Sequence, residues 1–369
     1  MDFVDEFYAD KDLSLLKKLT LVIPTYNRNY YLNRCLWYHA HFPFGEIIVA
    51  DSSPEEKKVV NRETVAKVRE QFGANVRYLE YEPENEKYGG DIYRKWGDAV
   101  QHVETEYSQF CADKEFEIPI TQCRCIEYLD EHRDYSIAEG VNYLITQNRE
   151  KGYTYTSWQS QGSLPSNDAC ARLAFTIQNN VCPLMGIYNF KVQKETYQNY
   201  IKYNIDDLRF GEAVNELQAI ISGKYKRFPD RVLTCRDITQ STTNNHANLS
   251  MSSTMRYPKI WEYSEKYYQD KYSAFKLCIY DSLLHNSSDN PDDILELLES
   301  YLPRYLHHRF YPPSSPLDNY LLIKKIWGKM PRGIRNKFNH INTGYNYEDL
   351  KPDACLEIIN KIMQNAIVL

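Results

Sequence analysis

Polar segments follow directly after four short apolar runs in the first third of the chain. Their carboxylate, hydroxyl and basic side chains could together bind a phosphorylated ligand and a metal ion. Asp113 and Glu115 are separated by one residue, and such a pair suits Mg²⁺ or Mn²⁺, which prefer oxygen ligands and are commonly held by carboxylates together with substrate phosphates. Lys114 stands between them, where it could lower metal affinity or itself contact phosphate. The four segments are 25–28, 51–53, 83–90 and 113–115.

The apolar runs before these segments are predicted strands, because each is short, continuous and rich in β-branched or aromatic residues. Helical segments lie between them, so strand and helix alternate, which favours a parallel α/β sheet. Ligands of such sheets bind outside the carboxyl ends of the strands, and the four polar segments should therefore line one crevice. The predicted strands are 19–24, 46–51, 76–81 and 107–112, and the predicted helices are 30–40, 54–72 and 91–103.

The pattern is mixed from residue 121 to residue 236, and this part is expected to complete the same domain. Helical periods dominate after a polar stretch near residue 240. We therefore predict a first domain over 1–250 and a helical C-terminal region over 251–369. Within the mixed part the predicted helices are 126–132 and 206–222 and the strand candidates are 135–141 and 231–234; the C-terminal helices are 259–284, 292–301, 317–327 and 353–366.

Composition limits the classes of protein that this chain can belong to. It has 369 residues, of which 43% are apolar, enough for a buried core. The formal net charge of -6 provides no global positive field to attract nucleic acid, so any phosphate site must be local. The nine cysteines lack metal-site spacing and are expected to be reduced. No leader pattern and no run of ~20 apolar residues is found, so we expect a cytoplasmic protein.

Residues 20–28 read Thr-Leu-Val-Ile-Pro-Thr-Tyr-Asn-Arg and resemble the opening strand and loop of the family 2 glycosyltransferases, inverting enzymes of the GT-A fold. Segment 47–52 is similar to the second-strand motif of that family, and segment 105–115 is similar to its metal-binding strand end. Order and spacing agree over roughly the first 240 residues. The resemblance implies an α/β fold, namely a GT-A, Rossmann-like nucleotide-diphospho-sugar transferase domain with a helical C-terminal extension.

The resemblance also implies which side chains bind the nucleotide. Thr25, Tyr26 and Arg28 match the loop that lies against it, and Asp51 matches the acid that hydrogen-bonds the base or ribose. A simpler interpretation of Asp51 is a turn or N-cap residue. Lys95 follows two glycines in a predicted helix, so it could reach phosphate beside backbone N–H groups, although a plain turn at the start of a helix explains the same residues.

A divalent cation, Mg²⁺ or Mn²⁺, is the cofactor that the resemblance implies. Its ligands would be Asp113, which would also contact the donor, Glu115 and, from a later polar loop, His246. Glu115 departs from the family pattern, in which Asp is more frequent at this position, and Lys114 is a second departure. Segment 113–117 could instead be a solvated turn, and His246 an ordinary loop histidine.

Inverting transfer needs a general base that takes the proton of the acceptor hydroxyl. In the family that this sequence resembles, the general base is a carboxylate that lies late in the nucleotide-binding domain, at or just before a helix. We assign this role to Glu212. Asp207 and Glu216 are the alternatives. Glu212 and Glu216 are spaced four apart, so both acids could also simply face water on an amphipathic helix.

Segment 321–338 has six basic residues, no acids and interleaved apolar side chains. This composition suits an anionic membrane surface and predicts peripheral contact at the inner face of the membrane. Docking on the catalytic domain and binding of an anionic acceptor are the alternatives.

The leading hypothesis is a glycosyltransferase that moves a sugar, with inversion, from a nucleotide-sugar donor to a saccharide or lipid-linked acceptor in bacterial surface polysaccharide synthesis. A nucleotidyl or phosphosugar transferase could use the same crevice. A noncatalytic scaffold of a polysaccharide assembly complex is the third hypothesis, since Lys114 could have disabled the metal site.

Overall fold

The computed structural model describes residues 3–82, 91–148, 152–158, 162–179, 181, 183–237, 264–310 and 354–364. Three predicted features lie outside these residues: the metal ligand His246, the helix 317–327 and the basic segment 321–338. The polar segment 83–90 lies outside them as well.

Four parallel strands, connected by helices, form one half of a mixed sheet. The strands are β1 (Leu19–Thr25), β2 (Glu46–Asp51), β3 (Val76–Glu80) and β4 (Tyr107–Phe110), and the helices are α2 (Asn29–His39), α3 (Glu55–Phe72) and α4 (Asp91–Gln101). The strand order is β3-β2-β1-β4. Every residue of β1 and β2 is buried, because helices cover both faces of the sheet. The predicted elements of this half are confirmed to within two residues at each end.

The other half of the sheet is mostly antiparallel. Its strands are β5 (Glu115–Glu117), β6 (Tyr135–Asn148), β7 (Gly152–Trp158), β8 (Ile187–Asn189) and β9 (Lys224–Asp237). The order continues from β4 through β8, β6 and β9 to β5, and β7 pairs with β6. Only β6 and β9 pair in parallel here among the described strands. The sequence predicts parts of β6 and β9, whereas β5, β7 and β8 carry no recognisable strand pattern.

The remaining described helices cover the two faces of the sheet. They are α1 (Phe3–Tyr8), a 3₁₀ turn (Ser14–Lys18), α5 (Pro119–Glu131), α6 (Ala169–Asn179), α7 (Phe190–Lys202), α8 (Leu208–Ser222), α9 (Glu265–Asn286), α10 (Pro291–Phe310) and α11 (Ala354–Gln364). Local sequence explains some of their ends. The Asp207 carboxylate accepts a hydrogen bond from the backbone N–H of Arg209 at 2.9 Å and caps α8. Helix α3 ends at Gly73, whose φ of 64° favours glycine.

The C-terminal helices pack on both faces of the sheet. Helices α9 and α10 join one core through buried residues such as Phe275 and Leu298, and α11 joins the other core through Ile359. The described residues of the C-terminal region lie mostly in these helices, and the helical C-terminal extension as a whole stays a prediction. The division into domains 1–250 and 251–369 stays a prediction.

None of the described helices is both long and apolar enough to cross a membrane. The eight cysteines in the described part of the chain are all buried and form no disulfide bond.

Candidate ligand-binding site at the strand ends

The strand order reverses direction beside β1, and this creates a crevice. The chain builds β2 and β3 on one side of β1 and then places β4 on the other side. In open α/β sheets, ligands bind at such a switch point, outside the carboxyl ends of the strands. The backbone N–H of Cys111 donates to the carbonyl of Val22 at 3.0 Å, so the loop after β4 runs alongside the end of β1.

Asp113, in the loop after β4, joins this loop to the one after β1. Its Oδ2 accepts a hydrogen bond from Thr25 Oγ1 at 2.9 Å, and its Oδ1 accepts one from Arg28 Nη1, also at 2.9 Å. The Asp113 side chain is 2% exposed and that of Arg28 is 16% exposed. Asp113 therefore bonds two residues that the sequence predicts in the same site, across the switch point. Tyr26, which lies between Thr25 and Arg28 in the sequence, is half-buried.

Asp51 and Lys95 organise the loops after β1 and β2. The fully buried Asp51 carboxylate accepts hydrogen bonds from the backbone N–H of Ser53 at 2.7 Å and from Tyr78 Oη at 2.5 Å. Lys95 Nζ donates to the Thr25 carbonyl at 3.1 Å and to Ser52 Oγ at 2.7 Å. Lys95 thus reaches the strand ends, and its contact with phosphate stays a prediction. The carboxylate of Asp51 serves the turn after β2, and its contact with a nucleotide stays a prediction.

Glu115 lies in β5 rather than in an open loop. Its Oε1 accepts a hydrogen bond from Arg236 Nε at 2.5 Å, and its Oε2 accepts one from the backbone N–H of Ala112 at 2.6 Å. The two residues of this ion pair are register partners on β5 and β9. Lys114 is near the same groups: burial, with Arg236 and Arg28 close by, lowers its pKa to about 8.

A third arginine–carboxylate pair, Arg34 with Asp237, lies beside these two. Arg34 Nη2 donates to Asp237 Oδ2 at 2.5 Å, and the two side chains are 4% and 2% exposed. The Arg34 guanidinium also lies 5.1 Å from the ring centroid of Phe116. The sequence does not reveal this pair, because a basic residue inside a predicted helix carries no local signal for a partner on β9.

Asp113 and Glu115, the predicted metal ligands that lie among the described residues, do not fit a divalent cation as they are placed. Asp113 and Glu115 each already bond an arginine, and Lys114 stands between them. Other groups of described residues do bring three ligand atoms within 4.8 Å of one another, but Asp113 belongs to none of them. These groups are Cys35 with His39 and Cys111, Cys111 with Glu115 and Glu117, and Asp168 with Cys170 and Asp289.

The two buried groups of ligand atoms have competing hydrogen bonds. His39 Nε2 accepts from the backbone N–H of Glu117 at 3.2 Å, so the ring proton is on Nδ1, which lies 2.9 Å from the Cys35 carbonyl. Neither nitrogen then has a lone pair available for a metal. Burial and the nearby Glu115 carboxylate raise the pKa of Glu117 well above its usual range. Its Oε2 accepts hydrogen bonds from Gln109 and Thr234 side chains, both at 2.7 Å.

Helix α8 carries the predicted general base and one of its alternatives. Asp207 caps the helix, and Glu216 Oε2 accepts a hydrogen bond from Tyr305 Oη at 2.9 Å, so both alternatives have structural partners. Glu212 is 9% exposed. It lies near Tyr200, whose pKa is raised by burial and, to a smaller extent, by this carboxylate. Helix α8 contacts α4, which carries Lys95, and the catalytic role of Glu212 stays a prediction.

No protein-family model matches the sequence, and no curated protein is significantly similar to it. Solved structures show a distant likeness. TarS 1-349 from S. aureus has 17% identity and a TM-score of 0.46, over 79% of this chain and 72% of that one. A longer TarS structure has 13% identity and a TM-score of 0.47; the match covers 94% of this chain but only 55% of that one. The mannosyltransferase PcManGT from Pyrobaculum calidifontis, in complex with GDP-Man and Mn2+, has 11% identity and a TM-score of 0.41, over 89% of this chain and 85% of that one.

These scores are too low to assign a fold family by comparison. The strand order and the contacts at the strand ends are therefore the observations on which an interpretation of the site can rest.

Proposed function

We propose that this chain is a glycosyltransferase that binds a nucleotide-sugar donor at the switch point between β1 and β4. The observation that carries the proposal is the contact of Asp113 with both Thr25 and Arg28 across that point. This buried polar cluster lies at the switch point, outside the carboxyl ends of the strands, where α/β sheets bind nucleotides. The sequence resemblance of segments 20–28 and 105–115 to family 2 glycosyltransferases adds the substrate class and the GT-A assignment.

The donor would lie across the ends of β1, β2 and β4. Tyr26 and Asp51 would face the base and ribose, and Lys95 would stand near the diphosphate beside the loop after β1. Basic side chains suit this role, because charge-assisted hydrogen bonds to phosphate are about twice as strong as neutral ones. The sugar would then extend beyond the strand ends toward the acceptor.

The transfer itself would be a single displacement. The acceptor hydroxyl would attack the anomeric carbon from the face opposite the diphosphate, and the bond from that carbon to the phosphate oxygen would break. Glu212 would take the hydroxyl proton, and the nucleoside diphosphate would leave. The product would have the inverted anomeric configuration.

The acceptor that we propose is a saccharide or a lipid-linked saccharide of a bacterial surface polysaccharide. The basic composition of 321–338 supports an anionic acceptor or peripheral contact with the inner face of a membrane. This segment lies outside the described residues, so its composition is the only support.

Turnover of candidate donors tests this function. TarS 1-349 is in complex with UDP-GlcNAc in one solved structure, and PcManGT with GDP-Man, so these two donors begin the panel. Purified chain is incubated with each donor, with and without saccharide acceptors, and the released phosphate compound is identified. Release of nucleoside diphosphate together with a glycosylated product supports the proposal.

Two other outcomes would point elsewhere. Release of nucleoside monophosphate would indicate a phosphosugar transferase, and release of pyrophosphate in a parallel assay with a nucleoside triphosphate and a sugar phosphate would indicate a nucleotidyl transferase. No turnover together with no nucleotide binding would favour a scaffold. The variant Glu212→Gln keeps the shape of the side chain and removes the base, so we expect product formation to fall at least about 100-fold while donor binding is kept.

A further inference from the structure

In two of the ion pairs at the strand ends, the base is more exposed than the acid that it bonds. We call the charged residues there the strand-end cluster; it consists of Arg28, Arg34, Lys114, Arg236, Asp113, Glu115 and Asp237. The carboxylates of Asp113 and Glu115 are 2% and 0% exposed, whereas the guanidinium side chains that bond them, Arg28 and Arg236, are 16% and 23% exposed. A ligand that enters from solvent therefore meets basic groups before it meets carboxylate oxygens.

The seven members of the cluster are four bases and three acids, and three of the bases bond the acids. Lys114 lies near two of these pairs, Arg28 with Asp113 and Arg236 with Glu115. A divalent cation here would have to displace an arginine from a buried carboxylate, and loss of one partner from a buried ion pair is strongly unfavourable. A diphosphate faces the opposite situation, because its negative charge complements the partly exposed guanidinium groups of Arg28 and Arg236.

From this arrangement we infer that Arg28, Lys114 and Arg236 bind the donor diphosphate directly, without a divalent cation at Asp113 and Glu115. The inference rests on the function proposed above, since it concerns the same donor. Guanidinium forks match the geometry of phosphate oxygens, and three bases can neutralise the diphosphate charge that a metal ion would otherwise neutralise.

Asp113 and Glu115 then act as positioning residues. Asp113 holds the Arg28 fork while it also accepts a hydrogen bond from Thr25 at 2.9 Å, which ties that fork to the end of β1. Glu115 holds Arg236 and the backbone N–H of Ala112, which ties β9 to the loop after β4. Each acid thereby fixes one base at the mouth of the crevice.

Titration calorimetry of the full chain with UDP and with GDP tests the inference. Each titration is run in buffer with EDTA and in buffer with Mn²⁺. We expect at least one nucleotide to bind in EDTA, with a dissociation constant within about threefold of that in Mn²⁺. Binding that requires Mn²⁺ would overturn the inference and leave the proposed function intact. No binding of either nucleotide in either buffer would overturn both.

Two variants assign the binding to the named bases. In EDTA, Lys114→Gln is expected to weaken nucleotide binding at least about tenfold. Arg236→Lys keeps the charge beside Glu115 but loses the fork, and should weaken binding severalfold without unfolding the chain. Thermal unfolding of both variants checks that they are folded.

The matched control is Lys226→Gln, which removes one positive charge from β9, the strand that also carries Arg236. Lys226 Nζ lies 5.1 Å from the ring centroids of Tyr128 and Phe228, away from the cluster. Equal weakening in Lys114→Gln and Lys226→Gln would reduce the effect to net charge and would contradict the inference. Unchanged nucleotide binding in EDTA buffer by the folded variants Lys114→Gln and Arg236→Lys would also contradict the inference.

Discussion

Arg34 and Asp237 form the most enclosed of the three ion pairs in the strand-end cluster, with side-chain exposures of 4% and 2%. Enclosure makes such a pair sensitive to the loss of one partner, because the remaining charge stays buried without compensation. It does not make the pair indispensable, since well-packed apolar side chains can replace both charges at little cost.

Asp237→Ala is therefore expected to lower the free energy of unfolding by about 3 to 5 kcal/mol, since Arg34 would remain buried and charged. The double variant Arg34→Met with Asp237→Leu should recover most of this loss. Urea unfolding of the wild type, the single variant and the double variant measures both. A loss below about 1 kcal/mol in the single variant would show that water reaches the guanidinium.

At the residue scale, the sequence predicts that Thr25, Arg28 and Asp113 lie in one place, and Asp113 does bond both of the others. This was predictable because polar residues directly after apolar strands mark the carboxyl edge of a parallel sheet. The other two arginine–carboxylate pairs of the cluster were not predictable. Arg34 and Asp237 are 203 positions apart, and Glu115 and Arg236 are 121 apart, so local spacing contains no information about either contact.

At the element scale, strands were predictable from the sequence where both of their faces are buried. Strands β1 and β2 are continuous apolar runs because no position of either faces water. Strand β5 reads Glu-Phe-Glu and was missed, although all three residues are buried. Its acids are tolerated there because side chains of β4 and β9 donate hydrogen bonds to them.

Asp130 connects three elements, namely the 3₁₀ turn, β4 and α5. Its carboxylate accepts hydrogen bonds from Lys18 Nζ at 2.9 Å, from Tyr107 Oη at 2.7 Å and from Arg133 Nη2 at 2.9 Å. Burial alone would raise its pKa, but the hydrogen bonds from Lys18 and Tyr107 outweigh burial and lower it. A lowered pKa means that the ionised form stabilises the folded state above the ordinary value of 3.8.

We expect Asp130→Asn to lower the free energy of unfolding by about 1 kcal/mol at pH 7, after allowance for partial exposure. The difference from wild type should shrink as the pH falls below the ordinary Asp value and through the lowered folded pKa, because the wild-type carboxylate is then protonated too. Urea unfolding across this pH range measures it. The exposed Glu127→Gln on the same helix is the control, and a pH-independent difference for Asp130→Asn would contradict the assignment.

At the scale of the whole molecule, helix α11 packs in a core that it shares with the sheet. Helix α11 contacts α1 and buries Leu356, Ile358 and Ile359 in the same core as β1 and β2. Arg34 Nη1 also donates to Met363 Sδ at 3.2 Å, so α11 touches the strand-end cluster. The helix itself was predictable from its periodicity, but its docking place was not, because an apolar helical face does not specify its partner.

Ile359→Ala should accordingly lower the free energy of unfolding by about 2 to 5 kcal/mol, since it leaves a cavity in a core shared with the sheet. Chemical unfolding measured by fluorescence and by circular dichroism gives the value. Glu357→Ala, at an exposed position of the same helix, is the matched control and should change little. Equal, small effects for the two variants would mean that α11 does not stabilise the first domain.

Hydrogen exchange, followed by mass spectrometry with and without saturating UDP or GDP, locates the ligand on the chain and so tests a donor site at the strand ends. We predict slower exchange in peptides that contain 25–31 and 111–115, the loops on either side of the switch point. A different result would be protection confined to the cavity of about 450 Å³ between α7 and α9, which Lys202, Tyr203 and Asp281 line. That result, or no protection by any nucleotide, would contradict a donor site at the strand ends.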